Sequence, residues 1–189
     1  ISYLTSIAVM LGETQLDLDE PERAIEALDT VDLGGDATPS VVASALRTRI
    51  LAWQAIGDRD AVAREVRRFL ETVPDQAPDV LARLLATAAA EIERDYIDDL
   101  GSSSIDAERA RLADVAIVLA AWLDEQRTLD ATLAPRVADA LRLAGSTAEA
   151  LALYDELLVD SPNALPLLYG RAECLRERGG CLLYTSDAA

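Results

Sequence analysis

Two stretches of this chain share a layout that decides its fold: GDRDAVAREVRRFLETVP, from Gly57 to Pro74, and GSTAEALALYDELLVDSP, from Gly145 to Pro162. Each begins with a glycine, continues with helix-forming residues that include an apolar stripe, and ends in a proline 17 residues after the glycine. A glycine turn, a helix and a proline stop are the punctuation of a helical hairpin. A recurring unit of this size predicts stacked hairpins, each burying its apolar face against its neighbours.

The composition also favours helices. Hydrophobic residues make up 51% of the 189 residues, but aromatic residues only 4%, so alanine and leucine supply most of the apolar content. These residues favour helices over strands. The seven prolines and nine glycines lie mainly between periodic segments. We therefore expect an all-α protein of about nine helices, in which short connections make neighbouring helices antiparallel.

Local signals predict where several of these helices begin and end. Pro21 and Pro39 suit first helical turns, and Asp58 or Asp60 is expected to cap the fourth helix. Loop residues from Gly101 onward predict a cap at Ser103 or Ser104. Ser146 and Glu149 form a capping-box pattern. The seventh helix is expected over about Leu129 to Ala144 and the ninth over about Leu165 to Arg178.

Apolar stripes at helical spacing predict the core. Trp53 and Trp122 fall on such stripes and are expected to pack in the core rather than to bind a ligand. The third-helix stripe reaches Ile56. The expected stripe of the fourth helix consists of Val62, Val66, Phe69, Leu70 and Val73.

The net charge is −17, from 34 acidic residues and 17 basic residues, all of them arginine. Such acidity argues against nucleic-acid partners and against binding to anionic membrane surfaces. No apolar run approaches the ~18–20 residues of a membrane span. The lack of lysine beside abundant Ala, Arg and Asp suggests a bacterial source. The chain begins at Ile1 without a methionine, so we expect the true N-terminus to be missing. The cytoplasm is the favoured compartment, with export left open.

Little in the sequence points to catalysis. Without histidine there is no histidine base, no Ser-His or Cys-His pair and no histidine metal ligand. The carboxylates Asp29, Asp32 and Asp36 flank two glycines but do not fit a calcium loop. Cys174 is expected to be a buried structural thiol. We therefore expect no enzyme activity, no metal and no cofactor.

The segment from Thr132 to Pro162 resembles the tetratricopeptide repeat family. Ala138 and Leu141 occupy the packing positions of the first helix, Gly145 the turn, and Pro162 the terminator. Ala150 and Tyr154 match the small and aromatic positions of the second helix. A second unit, Ala43 to Pro74, matches less closely, because Val62 and Val66 stand where a small residue and an aromatic are usual. The resemblance implies a right-handed α-solenoid of antiparallel helix pairs over residues 1–180.

Two regions depart from the repeat pattern. Gly57 and Gly145 are 88 residues apart, whereas two repeats would span ~68. An elongated, irregular helix pair is therefore expected at about residues 77–127. Residues 181–189, CLLYTSDAA, resemble an in-frame translation of a transposase-type sequencing adapter and are expected to be a non-native tail.

The family resemblance implies that the first helix of each pair lines a concave groove that binds a partner peptide. On the matching faces this surface would comprise Arg47, Thr48, Gln54, Arg136, Asp139, Arg142, Tyr169 and Arg176. The expected function is a protein–protein interaction scaffold within a larger bacterial protein. Two alternatives are a sensor or spacer arm of a multidomain enzyme or regulator, and an all-α enzyme that uses carboxylates. Ordinary solvated arginines beside neighbouring acids are a further interpretation of the same residues.

Overall fold

The computed structural model describes residues 2–31, 37–97, 102–126 and 130–185, and these contain helices and no strand. The nine helices of this described part, in chain order, are α1 Ser2–Asp17, α2 Pro21–Asp29, α3 Pro39–Ile56, α4 Arg59–Thr72, α5 Ala77–Ile97, α6 Ser102–Gln126, α7 Leu133–Leu143, α8 Thr147–Asp160 and α9 Leu165–Thr185. The prediction of an all-α protein is confirmed.

The chain divides into two compact units, Ile1–Leu81 and Ala82–Ala189. In the first unit, α1 contacts α2 and α3, and α3 also contacts α2 and α4. Val9, Leu28 and Ala45 form one buried cluster between α1, α2 and α3. Gly12 of α1 lets α2 approach, because a Cβ there would lie only 2.9 Å from Cγ of Leu28.

The predicted stripe of α4 is buried as expected: Val62, Val66 and Phe69 are at most 1% exposed. Trp53 is half-buried against the cluster of Ala24, Ile25 and Ala52. The prediction for Ile56 is wrong, because it is 36% exposed. It is the last residue of α3, where the helix is already ending at the glycine turn.

In the second unit, α7 contacts α6, α8 and α9, and α8 contacts α9. The core of this unit includes Leu119 of α6, Leu133 and Leu141 of α7, and Tyr154 of α8, each at most 1% exposed. Cys174 is fully buried, as predicted, and burial raises the pKa of its thiol. A thiol whose pKa is raised is a poor nucleophile.

Three helix pairs share the same turn. Gly57 and Gly145 have left-handed backbones with φ of 84°, as their predicted turn role requires. Asp19, between α1 and α2, takes the same conformation with φ of 60°. In each case the next helix begins two residues later, at Pro21, Arg59 and Thr147. Aspartate is among the few residues with a side chain that tolerate this conformation, so the first turn carries no glycine signal.

Some predicted caps form and others do not. Asp58 accepts a hydrogen bond from the Ala61 N–H at 2.9 Å and caps α4. Pro21 and Pro39 lie in first turns as expected. The prediction of a capping box at Ser146 is wrong, because the serine side chain makes no cap hydrogen bond. The backbone of Ser146, at φ −78° and ψ 57°, lies outside the extended conformation that capping requires.

Three helix boundaries also differ from the predictions. Asp130 accepts hydrogen bonds from the N–H groups of Thr132 and Leu133, so α7 begins at Leu133 rather than at Leu129. Helix α6 is already helical at Ser102, ahead of the predicted cap at Ser103 or Ser104. Helix α9 continues to Thr185 rather than ending near Arg178, because two glycines weaken a helix without terminating it.

Candidate binding surface on helices α7 and α9

Tyr154 of α8 joins α7 to α9. Its side chain is fully buried, and its hydroxyl donates a hydrogen bond to Oδ1 of Asp139 on α7 at 2.6 Å. On its other side lies Gly170 of α9, where an added Cβ would come within 2.4 Å of the tyrosine Cζ and hydroxyl oxygen. The ring therefore occupies the space that any larger residue at position 170 would need.

Burial and the neighbouring carboxylate keep this tyrosine neutral. Burial raises the pKa of Tyr154 above its usual value, and the hydrogen bond to Asp139 raises it further. The phenol therefore remains a donor to the carboxylate of Asp139. Arg142, half-buried next to the tyrosine, partly offsets the rise.

Arg142 interacts with Tyr154 and Asp139 and is only partly exposed to solvent. Burial works against its charged form, but Tyr154 and Asp139 outweigh burial and raise the pKa of the guanidinium. Its Nε is buried and has no hydrogen-bond partner. A buried donor without a partner costs free energy, so Arg142 retains unused hydrogen-bonding capacity.

The same electrostatic network continues onto α9. Arg176 donates two hydrogen bonds to Oε2 of Glu173, at 2.7 and 3.2 Å. These bonds lower the pKa of Glu173, with a smaller contribution from the charge of Arg142. Glu173 raises the pKa of the Arg176 guanidinium, with smaller contributions from Glu177 and Tyr169. We call Asp139, Arg142, Tyr169, Glu173 and Arg176 the α7–α9 row.

The row contains a repeat. The spacing from Asp139 to Glu173 is the same as the spacing from Arg142 to Arg176. It equals the period of the tetratricopeptide repeat, about 34 residues, and we call it the repeat interval. Further pairs of identical residues share this spacing, among them Leu141 with Leu175 and Gly145 with Gly179. Because α7 and α9 contact each other, residues one repeat interval apart lie on neighbouring helices.

Sequence reasoning thus selected four residues that the structure brings together, namely Asp139, Arg142, Tyr169 and Arg176. Of these, Tyr169 is 66% exposed and the side chain of Arg176 is 69% exposed. Arg136 is exposed on α7, but no contact in the described residues links it to the row. Glu173 was missed, although its place one repeat interval after Asp139 is a signal in the sequence.

The other three predicted residues lie on α3 in the first unit. Arg47 is exposed and pairs with Glu13 of α1 at 3.3 Å. Gln54 is half-buried. Thr48 is only 1% exposed, and its hydroxyl donates to the Ser44 carbonyl at 2.9 Å, so it is not available on the surface.

The first unit also contains an ion-pair cluster that the sequence analysis missed. Arg49 donates from Nε and Nη2 to Oε1 of Glu65 at 3.0 and 2.9 Å, and from Nη1 to Asp29. Burial opposes the charge of Arg49, but the two carboxylates raise its pKa. Glu65 lies within the apolar stripe of α4, and a charge at such a position signals a buried partner. The cluster joins α2, α3 and α4 and is structural.

Few other features of the described residues suggest a site. They contain no group of three or more His, Cys, Asp or Glu side chains that could hold a metal ion. A depression of about 460 Å³ is lined by residues of α5 only: Arg83, Ala86, Thr87, Ala90, Glu91 and Arg94. None of the helices in this part of the chain combines the length and apolar character needed to cross a membrane. The acids Asp32 and Asp36 lie outside the described residues.

Comparison with known proteins gives no relatives. No protein-family model matches the chain, and neither does any curated protein or solved structure.

Proposed function

We propose that this chain is a protein-interaction module that binds a segment of a partner protein. In this proposal its helix pairs stack as an antiparallel α-solenoid of the tetratricopeptide type, within a larger bacterial protein. The three equivalent left-handed turns and the repeat interval between α7 and α9 support this arrangement. Helix pairs in such arrays stack side by side and create an extended binding surface.

The observation that carries the proposal is the α7–α9 row. It spans two contacting helices, and it presents an exposed phenol and an exposed guanidinium at Tyr169 and Arg176. The half-buried guanidinium of Arg142 adds a second positive charge to the row. A surface that combines arginine forks with an aromatic side chain suits carboxylate groups of a peptide. The proposed partner is therefore a peptide segment with acidic side chains.

Peptide selection on the immobilised full chain tests this proposal. A random peptide library would be selected, and the affinities of the recovered peptides measured by fluorescence anisotropy. We expect acid-rich peptides whose affinity falls at least tenfold with Arg176→Ser. Among the described residues Arg176 forms an ion pair with Glu173 of its own helix, and exposed pairs of this kind contribute little to stability, so the variant should remain folded.

The matched control is Arg178→Ser, which removes the same charge from the same helix two residues further on. Since residues two apart on a helix point to different faces, this variant should retain the affinity of the wild type. Equal loss in both variants would indicate non-specific attraction of acidic peptides to arginine. Recovered peptides that bind both variants as well as the wild type would contradict the proposed surface.

A further inference from the structure

A second surface of α9 differs from its counterpart on α7. Two positions behave alike on the two helices: Leu133 and Ala140 of α7 are at most 1% exposed, and their equivalents one repeat interval later, Leu167 and Cys174, are at most 8% exposed. A neighbouring stripe of residues is buried on α7 but exposed on α9. Ala134, Ala138 and Leu141 are at most 1% exposed, whereas Leu168 and Leu175 are 40% and 43% exposed. Ala172, which lies between these two leucines, is exposed as well.

The two helices also differ in the number of helices around them. Helix α7 contacts α6, α8 and α9, whereas α9 contacts α7 and α8 among the described residues. The apolar stripe of α9, made of Leu168, Ala172 and Leu175, is thus the exposed counterpart of a stripe that is buried on α7.

Helix α8, which contacts α7, shows what chemistry a neighbouring helix has in this protein. Its buried residues include Ala150 and Leu157, and its exposed side carries four acids: Glu149, Asp155, Glu156 and Asp160. It carries no basic residue. Next to the stripe of α9, one turn beyond Leu175, lies Arg178, which is exposed and has no ion-pair partner among the described residues. The charge at this edge therefore complements an acidic helix.

We propose that the stripe formed by Leu168, Ala172 and Leu175 is a docking site for an acidic amphipathic helix of the kind represented by α8. The helix would lay its apolar face on the stripe and place its carboxylates near Arg178. This is the helix-in-groove mode of recognition, in which residues at intervals of three and four anchor the ligand. The inference rests on the difference in burial between α7 and α9 and concerns apolar residues that are not members of the α7–α9 row.

A synthetic peptide of residues 146–162 provides the probe, since it contains the α8 sequence. The peptide would carry fluorescein and be titrated with the full chain by fluorescence anisotropy. We expect saturable binding that Leu175→Glu weakens at least tenfold and Arg178→Glu weakens several-fold. A peptide carrying A150E and L157E should show no saturable binding.

Ile117→Glu is the matched control on the protein. Ile117 is 51% exposed on α6, so the variant adds the same charge at a similarly exposed apolar position and should leave the affinity unchanged. Circular dichroism of each variant would show that the helices are retained.

Three results would overturn the inference. The first is no saturable binding at millimolar peptide. The second is binding that survives Leu175→Glu, which would mean that the peptide displaces α8 instead. The third is concentration-dependent dimerisation in light scattering that Leu175→Glu abolishes, without any binding of the peptide. That result would assign the stripe to a second copy of this chain.

Discussion

Gly170 shows how a single residue sets the distance between two helices. A glycine inside a helix normally costs about 1 kcal/mol relative to alanine, because it loses more backbone entropy on folding. Here the buried ring of Tyr154 occupies the space where the Cβ would lie. Glycine at position 170 lowers the helix propensity of α9, but it leaves the space in which the tyrosine packs against that helix. The sequence gives no sign of this, since an isolated glycine does not reveal what it faces.

Two glycines of α9 should therefore respond in opposite ways to the same substitution. Gly170→Ala is expected to lower the free energy of unfolding by about 1–3 kcal/mol, because overpacking forces the ring or the helix to move. Gly179→Ala is expected to raise it by about 0.5–1 kcal/mol, because an added Cβ there meets no atom within 4 Å. Urea unfolding of both variants would measure the difference. If Gly170→Ala were as stabilising as Gly179→Ala, the close approach of Tyr154 would be refuted.

At the scale of helices, boundaries were more predictable than the contacts between helices. Gly57, Gly145 and Pro39 mark their turns and starts correctly, because their effect is local to the backbone. Leu133 begins α7 because of the hydrogen bonds to Asp130, which propensity alone does not indicate. The pair of Arg49 and Glu65 joins residues 16 positions apart on different helices. Such contacts depend on how the helices pack, which periodicity does not determine.

The hydrogen bond between Tyr154 and Asp139 links α8 to α7 and should make their packing sensitive to alkaline pH. Its loss in Tyr154→Phe should cost about 1.5–3 kcal/mol at pH 8, as expected for a bond to a charged acceptor. The pKa of Tyr154 is raised in the folded state, so folding favours its protonated form. The stabilisation is complete below the unfolded pKa of about 10 and diminishes as pH rises above that value.

Urea unfolding of wild type and Tyr154→Phe between pH 8 and pH 11 would measure this effect as the difference between the two proteins. We expect the advantage of the wild type to shrink above pH 10. Tyr169→Phe is the control, because its exposed side chain should make less than about 0.5 kcal/mol of difference. An advantage that grew with rising pH would contradict the assigned hydrogen bond.

For the molecule as a whole, the sequence predicted the fold class better than the binding surface. The all-α class follows from composition and periodicity, which act along the entire chain. Of the eight residues predicted for binding, Thr48 is buried, because a helix face that looks polar in sequence can still pack against a neighbour. Arg142 and Arg176 hold equivalent places one repeat interval apart, on helices that contact each other. A repeat thus carries information about tertiary neighbours that single helices lack.

The net charge of −17 should make the stability of the whole chain depend on salt. Repulsion among the acids opposes compaction, and the screening length falls from about 30 Å at 0.01 M to about 10 Å at 0.1 M salt. Helix dipoles add to the effect, since α4 and α8 have no basic residue in their last turns and carry acids there at Glu71 and Asp160. Raising NaCl from 10 to 500 mM should therefore increase the melting temperature by about 3–6 °C, if screening recovers about 1–2 kcal/mol.

Two substitutions separate the contribution of total charge from that of the helix dipoles. Glu71→Gln and Glu149→Gln each remove one exposed negative charge, but Glu71 lies in the last turn of α4 and Glu149 in the first turn of α8. At 10 mM NaCl, Glu71→Gln should stabilise the protein by about 0.3–1 kcal/mol, because a carboxylate is unfavourable at a helix C-terminus. Glu149→Gln should give no such gain, since it loses a favourable interaction with the dipole while relieving the same repulsion. Equal stabilisation by both would mean that net charge alone governs the salt response, and a melting temperature that fell with added NaCl would contradict both contributions.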